Sequence, residues 1–429
     1  MHAAFLLALL AAAPAPPRAP AAPLTVHSWP DGVLFVVTTS DGQTRMGKTP
    51  ARMRVPLGET RVLFGGAGFK PKEQTLDVQG PTRAEACVDP VDQVVECLTV
   101  FPVGPAPKAV LANEDGSQLW VTLLMGPQSV RLYETRSGAK LAEASLGRLG
   151  AVELERSLDG KLLWATQLDS GKVMELDGAS RAITRTFDTR GVMPKVVRRS
   201  ADGRSLFVAN WFSNDVSEID LETGKVRRLL ETVKTPRGLH ATPDGASLYV
   251  AGFGAGQLAK IDLATGKSRV VWSGGKALRH LVPDEERRRL YISDMGRSEI
   301  FVMDLDTDEV KPWAKTGHAP NTIVLSPDRR VLYVSNRGAN GKDGYTRPGP
   351  EWGSVLLFDT ETGALLDAIV GGNQCTGLDV SADGKVLAFS DFMDGRVRVY
   401  RIPPIEALRA GAGGRAESHR SSVVKRGAR

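Results

Sequence analysis

The chain has 429 residues, of which 42% are hydrophobic and 24% charged, so it is long enough for one large and one small domain with buried cores. Its formal net charge of +6 is concentrated at the ends: residues 405–429 carry six Lys or Arg against two acidic residues, and Arg18 adds another positive charge. The remaining body is close to neutral and offers no concentrated basic face, so we expect no nucleic-acid partner.

The N-terminal segment has the pattern of a secretory leader. A short apolar run, FLLALLAAA, is followed by a stretch rich in alanine and proline. The run is too short to span a bilayer but matches the apolar region of a signal peptide, and no later stretch reaches the length of a membrane helix. We therefore predict a signal peptide over residues 1–22, no transmembrane segment, and an exported protein that is periplasmic or on the cell surface.

Residues 23–88 are predicted to form a small, separate β domain. Short alternating stretches such as VLFVV and RVLF are interrupted by turn signals that contain Pro, Gly and Asp. The turn sequences GKTP (residues 47–50) and GFKP (residues 68–71) make this segment similar to the PEGA module, a small β-sandwich of bacterial envelope proteins. The resemblance implies an envelope role without chemistry of its own.

The odd number of cysteines predicts one disulfide and one buried thiol in an exported protein. Cys87 and Cys97 are close in sequence, so we predict a disulfide between them and leave Cys375 as the free thiol. A bridge over such a short loop stabilises a chain by about 2–3 kcal/mol in the chain-entropy model. No pair of cysteines has the spacing of a metal knuckle, and we assign no metal ligands.

Residues 89–404 repeat a turn marker followed by a short β run. The marker is an Asp, in most copies within a turn such as SADG or TPDG, and a run such as LYVA follows about five residues later. Successive markers lie 40 to 55 residues apart, which favours propeller blades of four antiparallel strands over a βαβ array. The markers are Asp115, Asp159, Asp202, Asp244, Asp284, Asp328 and Asp383.

Two of the repeated runs, LYVSN and ANWFSNDVSEIDLETGKV, resemble the YVTN-type repeats of exported prokaryotic proteins, which are related to surface-layer and quinoprotein-like propellers. The resemblance implies an all-β fold, a seven-bladed β-propeller preceded by the small PEGA-like β-sandwich. It implies no single activity, because one fold can carry many functions.

The two ends of the propeller segment differ from the repeat. The seventh unit stops at Pro403 and Pro404 before a fourth strand, and an orphan stretch, VVECLTVFPVG, precedes the first unit. We therefore predict that residues 91–104 supply the closing strand of the last blade, which removes an open sheet edge. Residues 405–429 are rich in Gly, Ala, Ser and Arg, and we predict a disordered basic tail.

Functional groups of a propeller are expected where the first strands of all blades converge on the central channel. Alignment on the marker Asp places polar side chains four to seven positions before it, and Lys108 also falls in this region. The same alignment puts His240 and His280 at equivalent positions of adjacent blades. The candidate channel ring is Glu155, Lys195, Arg198, Arg237, His240, Arg279, His280, Asn321 and Asp379.

Three interpretations of this ring remain open. The charges can balance one another as a structural ring, bind an anionic or polyhydroxylated ligand at the channel mouth, or serve a metal-dependent lactonase-like hydrolase or a lyase. For the second interpretation, anion binding is expected to strengthen as His240 and His280 protonate near a pKa of about 6.5.

The sequence favours an exported, non-enzymatic binding or scaffold propeller of the bacterial cell envelope. Its expected partner is an envelope protein or an anionic or polyhydroxylated ligand, and we expect a monomer. We assign no catalytic residues and no cofactor.

Overall fold

The computed structural model describes residues 20–127 and 129–425. They belong to two compact units, residues 1–91 and 92–429, which are described separately. The predicted signal peptide lies outside the described residues except for its last three, and two of those, Ala21 and Ala22, begin the first strand. No helix within these ranges is both long and apolar enough to cross a membrane.

The N-terminal unit consists of two sheets around one core. Its strands are β1 (Ala21–Trp29), β2 (Leu34–Thr38), β3 (Thr44–Lys48), β4 (Ala51–Pro56), β5 (Gly58–Gly66), β6 (Phe69–Val78) and β7 (Thr82–Cys87). The sheet orders are β4-β1-β7 and β3-β2-β5-β6. Leu24 and Val26 of the first sheet share a buried cluster with Phe35, Val62 and Phe64 of the second, so the apolar faces pack against each other.

The C-terminal unit is an all-β propeller. Its strands are β8 (Glu96–Pro102), β9 (Pro107–Ala112), β10 (Gln118–Leu123), β11 (Val130–Glu134), β12 (Lys140–Ala144), β13 (Ala151–Arg156), β14 (Leu162–Gln167), β15 (Lys172–Asp177), β16 (Ile183–Asp188), β17 (Pro194–Arg199), β18 (Ser205–Asn210), β19 (Asp215–Asp220), β20 (Val226–Glu231), β21 (Pro236–Ala241), β22 (Ser247–Gly252), β23 (Gln257–Asp262), β24 (Ser268–Trp272), β25 (Leu278–Asp284), β26 (Arg289–Asp294), β27 (Glu299–Asp304), β28 (Val310–Lys315), β29 (Pro320–Leu325), β30 (Val331–Asn336), β31 (Ser354–Asp359), β32 (Leu365–Val370), β33 (Cys375–Val380), β34 (Val386–Asp391) and β35 (Arg396–Arg401).

These strands form seven four-stranded sheets, which we name I to VII in chain order. Sheets I to VI contain β9–β12, β13–β16, β17–β20, β21–β24, β25–β28 and β29–β32, and sheet VII contains β33–β35 with β8. The first strand of each sheet contacts the first strand of the next, and β33 contacts β9. The first strands therefore form a closed ring.

The repeated Asp marker builds the turn between the first two strands of a sheet. In sheet IV the Thr242 hydroxyl donates to the Asp244 carboxylate at 2.5 Å, and the backbone N–H of Ala246 donates to the same oxygen at 2.9 Å. Gly245 has a φ of 69°, a conformation that other residues rarely adopt. The motif is thus a structural turn, in which the Asp carboxylate accepts hydrogen bonds from a hydroxyl group and from a backbone N–H.

Sheet VII combines strands from both sides of the propeller segment. β8 pairs antiparallel with β35, in a register that places Thr99 opposite Val399 and Phe101 opposite Val397. Phe101, Val397 and Val399 are buried in one cluster with Leu119 and Val121 of sheet I. The strand that completes sheet VII therefore also helps to bury the face of sheet I.

A disulfide is present: Cys87 and Cys97 are both disulfide-bonded, whereas Cys375 is a free, buried thiol. Burial, reinforced by the nearby Asp391 carboxylate, raises the pKa of Cys375 well above its usual value. The thiol is therefore held protonated, in an unreactive form.

Sheet V departs from the alignment made on the markers. Asp284 is the last residue of β25 rather than a turn residue, and the turn to β26 follows it. In the strand register Val282 lies opposite Tyr291 as His240 lies opposite Tyr249. The predicted equivalence of His240 and His280 is therefore wrong, because the turn of sheet V begins later than its Asp suggests.

The prediction of a disordered tail is wrong for the residues that the structure describes there. The tail contains helices α1 (Ile405–Gly411) and α2 (Gly414–Ser422), and both contact β32. Ile405 and Leu408 are buried, and the Arg409 guanidinium donates to the Asp359 carboxylate at 2.7 Å. Two apolar side chains three residues apart are enough to dock one helical turn, although the average composition of the tail is polar.

The segment between β30 and β31, residues 337–353, accounts for the longest marker interval and is held by the end of the tail. The backbone N–H of Trp352 donates to the Val423 carbonyl at 2.8 Å, and the N–H of Lys425 donates to the Pro350 carbonyl at 3.0 Å. We call residues 337–353 the long loop. The tail thus fixes a loop at the same end of the ring as the start of each first strand.

Removal of β8 should destabilise the propeller, because it opens the edge of β35 and uncovers one face of sheet I. We expect a chain that begins at Pro105 to aggregate or to lose its cooperative thermal transition in scanning calorimetry. The control begins at Asp92, retains β8 and carries Cys97→Ser, so that no unpaired thiol from the disulfide remains. Equal melting temperatures for the two chains would contradict the closing role of β8.

Candidate functional site

Cationic side chains gather where the first strands begin. Lys108, Lys195, Arg237 and Arg279 are each the second residue of a first strand, in sheets I, III, IV and V. Because these strands run in the same direction around the ring, their second residues meet at one end of the channel. Arg337, which follows β30, adds a fifth positive charge there, since its charge acts on Lys108, Arg237 and Arg279. We call these five residues the cationic mouth.

Aromatic rings, rather than carboxylates, support the mouth. The Lys195 ammonium lies 3.7 Å from the centre of the Trp211 ring, and the Lys108 ammonium lies 4.6 Å from that of Phe392. The Arg337 guanidinium lies 5.3 Å from the Tyr345 ring, which belongs to the long loop. Cation–π contacts of this kind stabilise a positive charge by about 0.5–2 kcal/mol without neutralising it.

Among the described residues, no carboxylate forms an ion pair with any of the five cations. Glu153 acts on Arg237 and Arg279 from a greater distance, and it forms an ion pair with Arg198 at 3.9 Å. The positive charge of the mouth is therefore only partly balanced, by the more distant Glu153.

The pKa values of the two lysines show that their charged forms are unfavourable at the mouth. Burial, reinforced by the charges of Arg237 and Arg279, lowers the pKa of Lys195 to about 6. The same causes lower the pKa of Lys108 well below its usual value. Lys195 therefore carries little positive charge at neutral pH, although a bound anion would favour the protonated form of either amine.

The mouth opens on a small cavity. Lys108, Arg237 and Arg279 line it together with Glu153 and the backbone around Gly377. The cavity is narrow and its polar wall is dominated by positive charge, so it suits a compact anionic group such as a phosphate, a sulfate or a carboxylate.

A second group of ring residues is paired internally. Arg198 lies three residues after Lys195 on β17, and its guanidinium contacts Glu155 at 3.5 Å and the His280 Nε2 at 3.0 Å. Because arginine can only donate, the His280 nitrogen accepts this bond and the ring is neutral. Burial, followed by the charge of Arg198, lowers the pKa of His280 well below its usual value. His280 is thus already neutral near pH 6.5, so the expectation that its protonation strengthens anion binding there is wrong.

Of the remaining predicted ring residues, Asp379 and His240 do not join the mouth, whereas Asn321 is the second residue of β29 and lies at the same end of the channel. The Asp379 carboxylate accepts from the backbone N–H of Ala112 at 2.7 Å, and burial raises its pKa to about 6. His240 stacks on Tyr249, and its Nε2 lies 2.9 Å from a Glu285 oxygen, although the geometry is not that of a hydrogen bond. Asn321 is fully buried, and its amide forms no hydrogen bond with the described residues.

The structure brings together three of the predicted residues, Lys195, Arg237 and Arg279, and adds Lys108 and Arg337. Arg279 occupies the position equivalent to Arg237, because the late turn of sheet V shifts the alignment by two positions. Arg337 was missed because it follows a second strand, which the alignment of first strands did not include. Its signal was the sequence NRG at the start of the long loop.

Comparisons with known proteins support the fold. A stretch of 59 residues is 46% identical to Antigen Lp49 of Leptospira interrogans serogroup Icterohaemorrhagiae serovar copenhageni. That match covers 14% of this chain and only 13% of the antigen's length. The structure is similar to Kuenenia stuttgartiensis hydrazine synthase with a TM-score of 0.57 and 18% identity, over 70% of this chain and 96% of that chain. At such low identity the likeness shows the fold alone.

A protein-family model described as the YNCE-like beta-propeller matches residues 162–376. The matched segment extends from β14 to the start of β33 and covers half of the chain. It includes four of the five residues of the cationic mouth. The chain belongs to the YNCE-like β-propeller family.

Proposed function

We propose that this protein is an exported, non-enzymatic β-propeller that binds a small anion, or the anionic end group of a larger molecule, at the cationic mouth. The observation that carries the proposal is a cavity lined by Lys108, Arg237 and Arg279, with Lys195 and Arg337 close enough to act on them, where none of the five forms an ion pair with a described carboxylate. Burial of uncompensated charge is unfavourable. An anion bound at the mouth would supply the missing negative charge.

The electrostatics of the mouth favour an anion over a metal ion. A divalent cation there would face Arg237, Arg279 and Arg337, which repel it at short range. The ring carboxylates are engaged elsewhere, since Glu155 contacts Arg198 and Asp379 accepts from a backbone amide. These contacts favour binding over the alternative of a metal-dependent hydrolase or a lyase at the channel.

The remaining parts of the proposal concern architecture and location. Seven successive four-stranded sheets with a closed ring of first strands support a seven-bladed propeller. The two-sheet N-terminal unit supports a PEGA-like module. The disulfide supports a location in an oxidising compartment. Together with the leader pattern, it favours the bacterial envelope as the location of the protein.

Arg279→Met should weaken anion binding without weakening the fold. A hydrogen bond to a charged group contributes roughly 1.5–3 kcal/mol, so we expect the Kd for sulfate to rise about ten- to hundred-fold in titration calorimetry. The melting temperature should stay the same or rise, because the substitution removes repulsion among buried cations. The control is Arg204→Met, which removes an exposed positive charge away from the mouth. An equal loss in both variants would mean that only net charge matters, and the site would be discarded.

Sulfate binding should take up protons at neutral pH. The Lys195 amine has a pKa of about 6 in the free protein, so it is largely deprotonated at pH 7.5, and a nearby anion raises its pKa. Affinity should therefore increase as pH falls from 8 to 6, and calorimetry in buffers of different ionisation enthalpy should reveal the uptake. Sulfate keeps its charge over this range, which isolates the protein's contribution.

Three variants assign this pH dependence to individual residues. Lys195→Met should reduce the proton uptake, whereas His280→Gln should leave it unchanged because His280 is already neutral. Asp379, whose pKa is also about 6, is the other group that titrates in this window, and Asp379→Asn measures its share. Proton uptake that persists in Lys195→Met and disappears in His280→Gln would contradict the assignment.

A further inference from the structure

A second cavity, of about 250 Å³, lies at the junction of sheets V and VI. One wall comes from the turn that leads into β29, including Gly317 and His318. The others come from the long loop and from helix α2 with the residues after it. Neither the long loop nor the tail belongs to the propeller repeat, and the two meet at this cavity.

The cavity contains hydrogen-bond acceptors that the described residues leave unsatisfied. Asn336 is 1% exposed; its amide N–H donates to the Val334 carbonyl at 3.2 Å, but its Oδ1 accepts no hydrogen bond. The Glu351 Oε2 is held by the His318 ring nitrogen at 2.8 Å and by the Ala339 N–H at 2.9 Å. No described residue donates to the Glu351 Oε1. A ligand that supplies O–H donors would satisfy both oxygens.

The charges around the cavity select against a charged ligand. Glu351 disfavours an anion, and its position is fixed by the two donors just described. Lys425 disfavours a cation, since its ammonium lies 4.4 Å from the centre of the Trp352 ring, an aromatic wall of the cavity. Exposed Arg420 adds to that positive charge.

We infer that this cavity binds a neutral polyhydroxylated ligand, such as a saccharide unit, separately from the anion at the cationic mouth. Ligand hydroxyl groups would donate to the Asn336 Oδ1 and the Glu351 Oε1, and the ring of the sugar would lie against Trp352. The fixed His318–Glu351 pair orients the carboxylate before the ligand arrives, which reduces the entropy cost of binding.

Gly317 offers a way to block the cavity without disturbing the backbone. A Cβ at this position would lie 3.4 Å from the Asn336 side chain and 3.5 Å from the Ser354 hydroxyl, which are ordinary contact distances. Gly317→Leu therefore extends a side chain between these two groups, and Gly317→Ala introduces the same contact with less bulk. The matched control is Gly341→Ala in the long loop, where the nearest atom would be at 3.6 Å.

The test is saturation-transfer NMR and titration with glucose, galactose, mannose and N-acetylglucosamine on the full chain. We expect wild type and Gly341→Ala to bind at least one of these sugars, and Gly317→Leu to weaken that binding at least ten-fold. Sulfate affinity should be the same in all three proteins, which shows that the variants are folded and separates this site from the mouth. Gly317→Ala provides the same comparison if the leucine variant does not fold.

Glucuronate and glucosamine test the selection for a neutral ligand. Both should bind more weakly than the uncharged sugar, because one faces Glu351 and the other faces Lys425 and Arg420. The inference is overturned if no sugar of the panel binds to the wild type, or if Gly317→Leu and Gly317→Ala bind it as tightly as the wild type. Tighter binding of either charged sugar would overturn the assignment to a neutral ligand.

Discussion

A four-stranded sheet with two apolar faces is stable only when another sheet covers each face, and this constraint governs the whole propeller. The buried clusters lie between sheets rather than within them: Leu132 of sheet I packs with Leu163 of sheet II, and Leu258 of sheet IV with Leu290 of sheet V. A linear stack would leave its two end faces exposed to water. A closed ring has no end faces, which is why the pairing of β8 with β35 matters beyond the hydrogen bonds it adds.

The same closure concentrates charge. Each first strand contributes its second residue to one end of the channel, so residues that are 40 or more positions apart in sequence become neighbours. At four of the seven second positions the side chain is Lys or Arg. At the next level of the channel the charges are paired instead, because Arg198 contacts Glu155 and His280. The ring therefore holds a layer of paired charges and a layer without ion pairs, and the proposed anion site lies at the second layer.

The spacing of the Asp markers was sufficient to predict the hairpins and the number of sheets, because those turns depend on local backbone conformation. It was not sufficient to place every side chain. In sheet V the marker and the turn differ by two residues, so His280 was aligned with His240, although Val282 occupies that position. The tail was judged by its mean composition, yet Ile405 and Leu408 alone provide the apolar contact that docks α1. Contacts such as that of Arg337 with Tyr345 depend on how a long loop folds back, and no local pattern encodes them.

The location of β8 has a consequence for how the protein is made. Glu96 and Arg401 form an ion pair across β8 and β35 although they are 305 residues apart in sequence. During synthesis or translocation from the N-terminus, β8 emerges before every other strand of the propeller. It has no partner until the last strand, β35, follows. Throughout that interval β8 carries unpaired backbone groups and an apolar face, which are features that promote aggregation of nascent chains. A protein built in this way depends on being kept unfolded, or on being shielded by a chaperone, until its last strand has been delivered.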